Sequence, residues 1–73
     1  MWTYEFEEDG GYDCMTGAFV LKRDGRPLIV IDLENFGQAS GQRPPPPEAV
    51  AEAEQLALKI VKALNEFGHE DHD

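Results

Sequence analysis

The sequence predicts an α+β domain, a small three-stranded antiparallel meander followed by one C-terminal amphipathic helix (β-β-β-α). Three patterns carry that prediction. Trp2, Tyr4 and Phe6 alternate with Thr3, Glu5 and Glu7, the period of a strand with one apolar face. Asp24-Gly25 stands between two apolar runs, 18–21 and 28–31, a strong signal for a hairpin with a type I′ turn. From residue 48 onward Ala, Leu, Glu and Lys dominate, and apolar residues recur at helical spacing.

The strands are expected at about 2–8, 17–23 and 26–33. Asp9-Gly10-Gly11 supplies the first turn, because glycine takes positive φ without steric penalty. A two-residue loop at Asp24-Gly25 sets Arg23 against Arg26, Lys22 against Pro27, Leu21 against Leu28, Val20 against Ile29 and Phe19 against Val30. Pro27 has no N–H to donate, so strand three is expected at the sheet edge, with strand one on the far side of strand two. In that register both sides of the hairpin are apolar: Val20, Ile29 and Ile31 on one, Phe19, Leu21, Leu28 and Val30 on the other. One helix cannot cover two faces, so the second is expected to be wrapped by the linker, to self-associate or to bind a partner.

Residues 34–47 read as a polar linker ending in the proline spacer 44–47, whose last member suits the first position of a helix over 48–67. Ala53, Leu56, Ala57, Ile60, Leu64 and Phe67 share the predicted buried face. Leu58 lies on the polar side, among Glu54, Lys62 and Asn65. Gly68 is a C-terminal stop signal, leaving 69–73 as a disordered acidic tail after a single domain over 1–68.

Seventy-three residues with 41% apolar composition support one modest core. Fifteen acidic against six basic residues give a net charge of −9, which argues against direct contact with nucleic acid or anionic membrane. Apolar runs of four residues are far too short to span a bilayer. Residues 1–8 hold no basic n-region, so no signal peptide is expected, and one cysteine, Cys14, suits a reducing cytoplasm.

Several groups invite chemistry. His69 and His72, with Glu70, Asp71 and Asp73, have a spacing that can bind a transition metal, but no oriented second shell surrounds them in sequence. Cys14 is flanked by acids rather than the cations that stabilise a thiolate. Asp32 and Glu34 could form an acid/base pair, or simply solubilise the strand end. Arg43 and the four prolines resemble a polyproline ligand, yet a stiff spacer explains the same residues. No cofactor, metal or catalysis is expected. The most informative feature is the acidic, aromatic N-terminal segment. Glu5, Glu7, Glu8 and Asp9, with Trp2, Tyr4 and Tyr12, suit a surface that docks on a basic protein groove; if Trp2, Tyr4 and Phe6 are core instead, the interface is expected on the outer side of the helix at Leu58. The other account is an edge strand protected from aggregation by its charges. Lys22, Arg23 and Arg26 gather at the hairpin tip and make the chain dipolar.

The tip Arg23-Asp24-Gly25-Arg26-Pro27, the polar linker and the helix Ala51-Glu52-Ala53-Glu54 through Ile60-Val61-Lys62-Ala63-Leu64-Asn65 resemble short accessory proteins encoded by bacteriophages, over residues 18–67. The acidic aromatic strand and the proline run depart from that pattern. The resemblance implies a non-enzymatic regulator that binds a host protein with a basic surface in the bacterial cytoplasm, such as RNA polymerase. The alternatives are an anti-CRISPR or nucleic-acid-mimic inhibitor of a nuclease complex, and a small self-associating structural protein. A monomer or weak homodimer is expected.

Overall fold

A computed structural model describes residues 1–12 and 14–70, with side chains through Phe67. Strands β1 (Trp2–Glu7), β2 (Ala18–Arg23) and β3 (Arg26–Asp32) form one antiparallel sheet in the order β1-β2-β3. A 3-10 helix (Leu33–Phe36) and one long helix, α1 (Pro47–Glu70), follow. The β-β-β-α architecture is therefore the expected one. At the hairpin Asp24 and Gly25 both take positive φ, 52° and 85°, as a type I′ turn requires.

The hairpin register departs from the expectation two residues from the turn. Arg23 pairs with Arg26 and Lys22 with Pro27, but a bulge then sets Leu21 against Ile29, Val20 against Val30 and Phe19 against Ile31. Leu28 is the extra residue. The slip changes the face of every residue beyond it. Phe19, Leu21, Ile29 and Ile31 now share the side that packs on the helix, with Trp2 and Tyr4 of β1 beside them. Val20 and Val30 lie on the other side, and Leu28 and Val30 stay exposed. Without the bulge, Ile29 and Ile31 would have left the core.

The helix stripe agrees in part with the expected one: Ala53 and Ala57 are buried as expected and Leu64 is half-buried, but Leu56 and Phe67 are not buried. Ala49, Ala53, Ala57 and Val61 are its buried residues, while Leu56 and Phe67 are exposed and Ile60 is half-buried. Three alanines at four-residue spacing let the helix backbone approach the sheet closely, so the larger side chains fall on the flanks. Two contacts fix which flank is which. Asn65 and Glu54 reach Trp2 and Tyr4, so their side of the helix overhangs β1, and the Leu56–Ile60–Phe67 side lies toward β3. Leu58 is exposed on the β1 flank, between Glu54 and Asn65.

Helix α1 starts at Pro47, as a proline at the first helical position allows, and runs through Gly68 to Glu70 rather than ending at 67. An interior glycine costs a helix only about 1 kcal/mol, and no second stop signal supports it here. Beyond the helical backbone to Glu70, the predicted tail and its histidine pair lie outside the described residues. Residues 33–36, read as strand end and linker, form the 3-10 helix, and Leu33 is fully buried.

Candidate functional site

The eight residues singled out for docking do not converge on one surface. Trp2 and Tyr4 point beneath the helix. The Tyr4 ring lies 5.9 Å from that of Phe19, and its hydroxyl donates to Glu54 Oε2 at 3.3 Å. Desolvation, reinforced by Glu54, pushes the Tyr4 phenol above its ordinary pKa. Trp2 donates its backbone N–H to Asn65 Oδ1 at 2.7 Å, and its carbonyl accepts from Asn65 Nδ2 at 3.0 Å. The aromatic side of β1 is thus occupied by the helix, with Leu58 exposed nearby.

Glu5 and Glu7 alternate with those aromatics and therefore project from the opposite face of the sheet, which the helix does not cover, although Ala18 and Val20 beside them are buried and only Val30 is open. Glu5 pairs with Lys22 across the strands, and the hydrogen bond from that ammonium lowers the Glu5 pKa. Glu8 and Asp9 follow in the turn, where Asp9 pairs with Arg43 of the linker. Tyr12 stands at the same end of the sheet, 96% exposed.

The loop carrying Tyr12 is held by one carboxylate. Asp32, which is buried, accepts from the Thr16 hydroxyl at 2.6 Å, the Tyr12 backbone N–H at 2.7 Å and the Glu34 backbone N–H at 2.9 Å. Burial alone would raise the Asp32 pKa, but the hydrogen bonds from Thr16, Tyr12 and Glu34 outweigh it and hold the carboxyl below its usual range. Further bonds stitch this loop to the linker. Gly17 donates to Gln38 Oε1 at 2.8 Å and Gly41 to the Met15 carbonyl at 2.8 Å. Residues 38–42 are therefore hydrogen-bonded to that loop, although only Gln38 among them is buried. Gly11 is required by close approach, since a Cβ there would lie 2.0 Å from Thr16 Oγ1 and 3.0 Å from Asp32 Oδ2. Gly11→Ala is expected to break the Thr16–Asp32 bond and destabilise the domain by about 1–3 kcal/mol in chemical denaturation. Unchanged stability would show that the loop adjusts without loss.

Gly10, Tyr12, Val30, Asp32, Glu34 and Asn35 line a shallow groove on the uncovered face. Its floor is apolar at Val30, which is 53% exposed, and its surroundings are acidic at Glu5, Glu7 and Glu34. An apolar centre with a charged rim is the general anatomy of a protein interface. The arrangement gives Asp32 no freedom for acid/base work with Glu34, because its oxygens already serve three donors. Among the described residues no three His, Cys, Asp or Glu side chains gather in a metal-holding group. Cys14 is exposed, in the left-handed region at φ 61°.

Three of these roles are not legible in the sequence. The bulge turns Val30 to the face opposite the one that a regular hairpin register predicts. Asp32 carried the one usable signal, an Asp preceding a short helix whose second residue donates to it, the geometry of an N-cap. Asn65 carried none, since its partner is the backbone of a residue 63 positions away. No helix among the described residues is long and apolar enough to cross a membrane. In comparisons with known proteins, no family, no curated protein and no solved structure matches the chain.

Proposed function

We propose that the protein is a non-enzymatic interaction module of the phage-regulator kind. It docks on a basic surface of a host enzyme such as RNA polymerase through the uncovered face of its sheet. The supporting observation is Tyr12: its ring is almost wholly exposed while its backbone is fixed by Asp32, beside an apolar floor at Val30 and an acidic rim. The fixed backbone has no freedom left to lose on binding and a tyrosine ring has only two torsions to order, which suits such a residue to be an anchor. Glu5, Glu7 and Glu8 supply steering toward positive charge, while Trp2 and Tyr4 support the fold. Mimicry of a phosphate backbone is the weaker reading, because the acids of residues 5–13 form a local cluster, the rest are scattered, and Glu5 and Asp9 are paired with Lys22 and Arg43.

Binding of the purified protein to purified bacterial RNA polymerase tests this. Tyr12→Ala is expected to weaken the complex about tenfold or more, mainly through faster dissociation. Replacing Glu5, Glu7 and Glu8 together by Gln should slow association and flatten its salt dependence. Absence of binding at about 10 μM, an affinity already weaker than specific complexes usually show, sinks the polymerase assignment. Full affinity in the Tyr12 variant sinks the surface.

A further inference from the structure

We infer that the groove beside Tyr12 and Val30 is a receptor for one arginine side chain, carried on an exposed basic segment of the partner protein. It rests on the docking face proposed above and names what enters the groove. With a volume of about 470 Å³, the groove falls in the range of sites that take one small ligand, roughly 300–1,000 Å³. Tyr12 offers it an exposed ring, and Val30 an exposed apolar floor. Two carboxylate residues, Asp32 and Glu34, complete the lining with Gly10 and Asn35. Neither has a cation beside it among the described residues. Asp32 accepts from a hydroxyl and two backbone N–H groups, all neutral, and Glu34 belongs to no ion pair there.

Charge selects a cation from outside, because no Lys or Arg of the chain lies in the lining. Lys22 and Arg43 are held by Glu5 and Asp9. Arg23 and Arg26 stand at the hairpin tip, the opposite end of β3 from Asp32. Lys59 and Lys62 are on the helix, which packs on the other face of the sheet. The tyrosine ring then chooses among cations. A guanidinium is planar and weakly hydrated, so it stacks on one exposed aromatic face while its fork of N–H donors meets a carboxylate such as that of Glu34. Its methylene stem suits the Val30 floor. A lysine ammonium is a compact, strongly hydrated charge that gives up more water to sit against the ring. A methylated ammonium is recognised by a cage of several aromatic faces, and Tyr12 is the one aromatic among the described lining residues.

Titration of the full chain with the peptide acetyl-Gly-Gly-Arg-Gly-Gly-amide, followed by backbone amide shifts in NMR, tests it. The peptide should shift the amides of Tyr12, Val30 and Asn35 saturably, with a Kd on the order of 1 mM, as weak as a single side-chain contact allows. The citrulline peptide, isosteric but uncharged, should not bind, and the lysine peptide should bind at least about threefold more weakly. Tyr12→Leu and Glu34→Gln should each weaken the arginine peptide about two- to fivefold. Both variants keep the backbone N–H groups that Asp32 holds, so the loop stays in place, and an unchanged amide spectrum away from the groove checks that. Absence of a saturable shift at about 20 mM peptide, far above the expected Kd, overturns the inference. So does equal affinity for the citrulline or lysine peptide, or undiminished affinity in both variants. Arginine binding without polymerase binding refutes the polymerase assignment alone. Polymerase binding that Tyr12→Ala weakens, in a chain that ignores the arginine peptide, keeps the docking face and refutes the receptor.

Discussion

Replacing Asp32 by Ala is expected to destabilise the domain by about 3–5 kcal/mol and to release the loop that presents Tyr12. The carboxylate satisfies one hydroxyl and two backbone N–H groups from three separate positions, Thr16, Tyr12 and Glu34. Hydrogen bonds to a charged group contribute about 1.5–3 kcal/mol each, and donors left unpaired away from water add their own penalty. The three bonds share one acceptor, so their contributions do not simply add. A domain of this size loses about 4–8 °C in melting temperature per kcal/mol, so thermal unfolding should shift down by at least about 12 °C. The pH dependence follows from the same contacts. The folded pKa of Asp32 lies below its unfolded value, so the unfolded chain binds the proton more readily. Its stabilisation is complete above the ordinary Asp value of about 3.9 and is lost as pH falls through the depressed folded pKa. The Asp32→Ala variant should therefore show a flatter loss of stability below about pH 4 than the parent chain. Equal acid sensitivity in the two proteins would place the responsible carboxylate elsewhere.

Local signals carried most of the fold. The Asp24-Gly25 turn, the alternation in β1, the edge placement of β3 and the helix starting at Pro47 are all encoded by neighbouring residues. What could not be read is set by tertiary packing. The bulge at Leu28 leaves no trace in composition, because a run of four apolar residues fits either register. The sheet chooses the one that puts Ile29 and Ile31 with Phe19 and Leu21 against the helix. Likewise hydrophobic periodicity puts Leu56 and Phe67 on the buried face beside Ala53 and Ala57, and leaves Ala49 out of it. Close approach favours the alanines instead. The proposed surface was legible in its acids and in Tyr12, which lie in one short segment. Val30 and Glu34 reach it only through the hairpin, so their contribution depended on a register that local sequence did not determine.

The centre of the core is therefore Leu33 and Leu21, not the middle of the helix. Leu33→Ala is expected to cost about 2–5 kcal/mol, the usual range for emptying a buried leucine site. Leu33 is fully buried in the 3-10 helix, where its N–H donates to the Gly17 carbonyl at 2.9 Å and its neighbours include the core residues of β2, β3 and α1. Its Cδ1 also lies 3.2 Å from where a Cβ on Gly17 would stand, so the side chain fills the junction between that loop and the helix. Gly17 has no side chain to fill the space that Leu33 vacates. Ile60, which helical periodicity places in the buried stripe, is half-buried in the structure, so Ile60→Ala should cost only about half as much, in proportion to the apolar area removed from contact. At roughly 0.05–0.15 kcal/mol per residue the whole domain has only about 4–11 kcal/mol to lose. Leu33→Ala thus brings it near the threshold of unfolding at 25 °C, while Ile60→Ala leaves a measurable two-state transition. Urea denaturation of the two variants ranks them directly, with the midpoint falling further for Leu33→Ala at similar slope. The reverse ranking would mean that the helix buries Ile60 rather than its alanine stripe, and the close contact between helix and sheet would have to be given up.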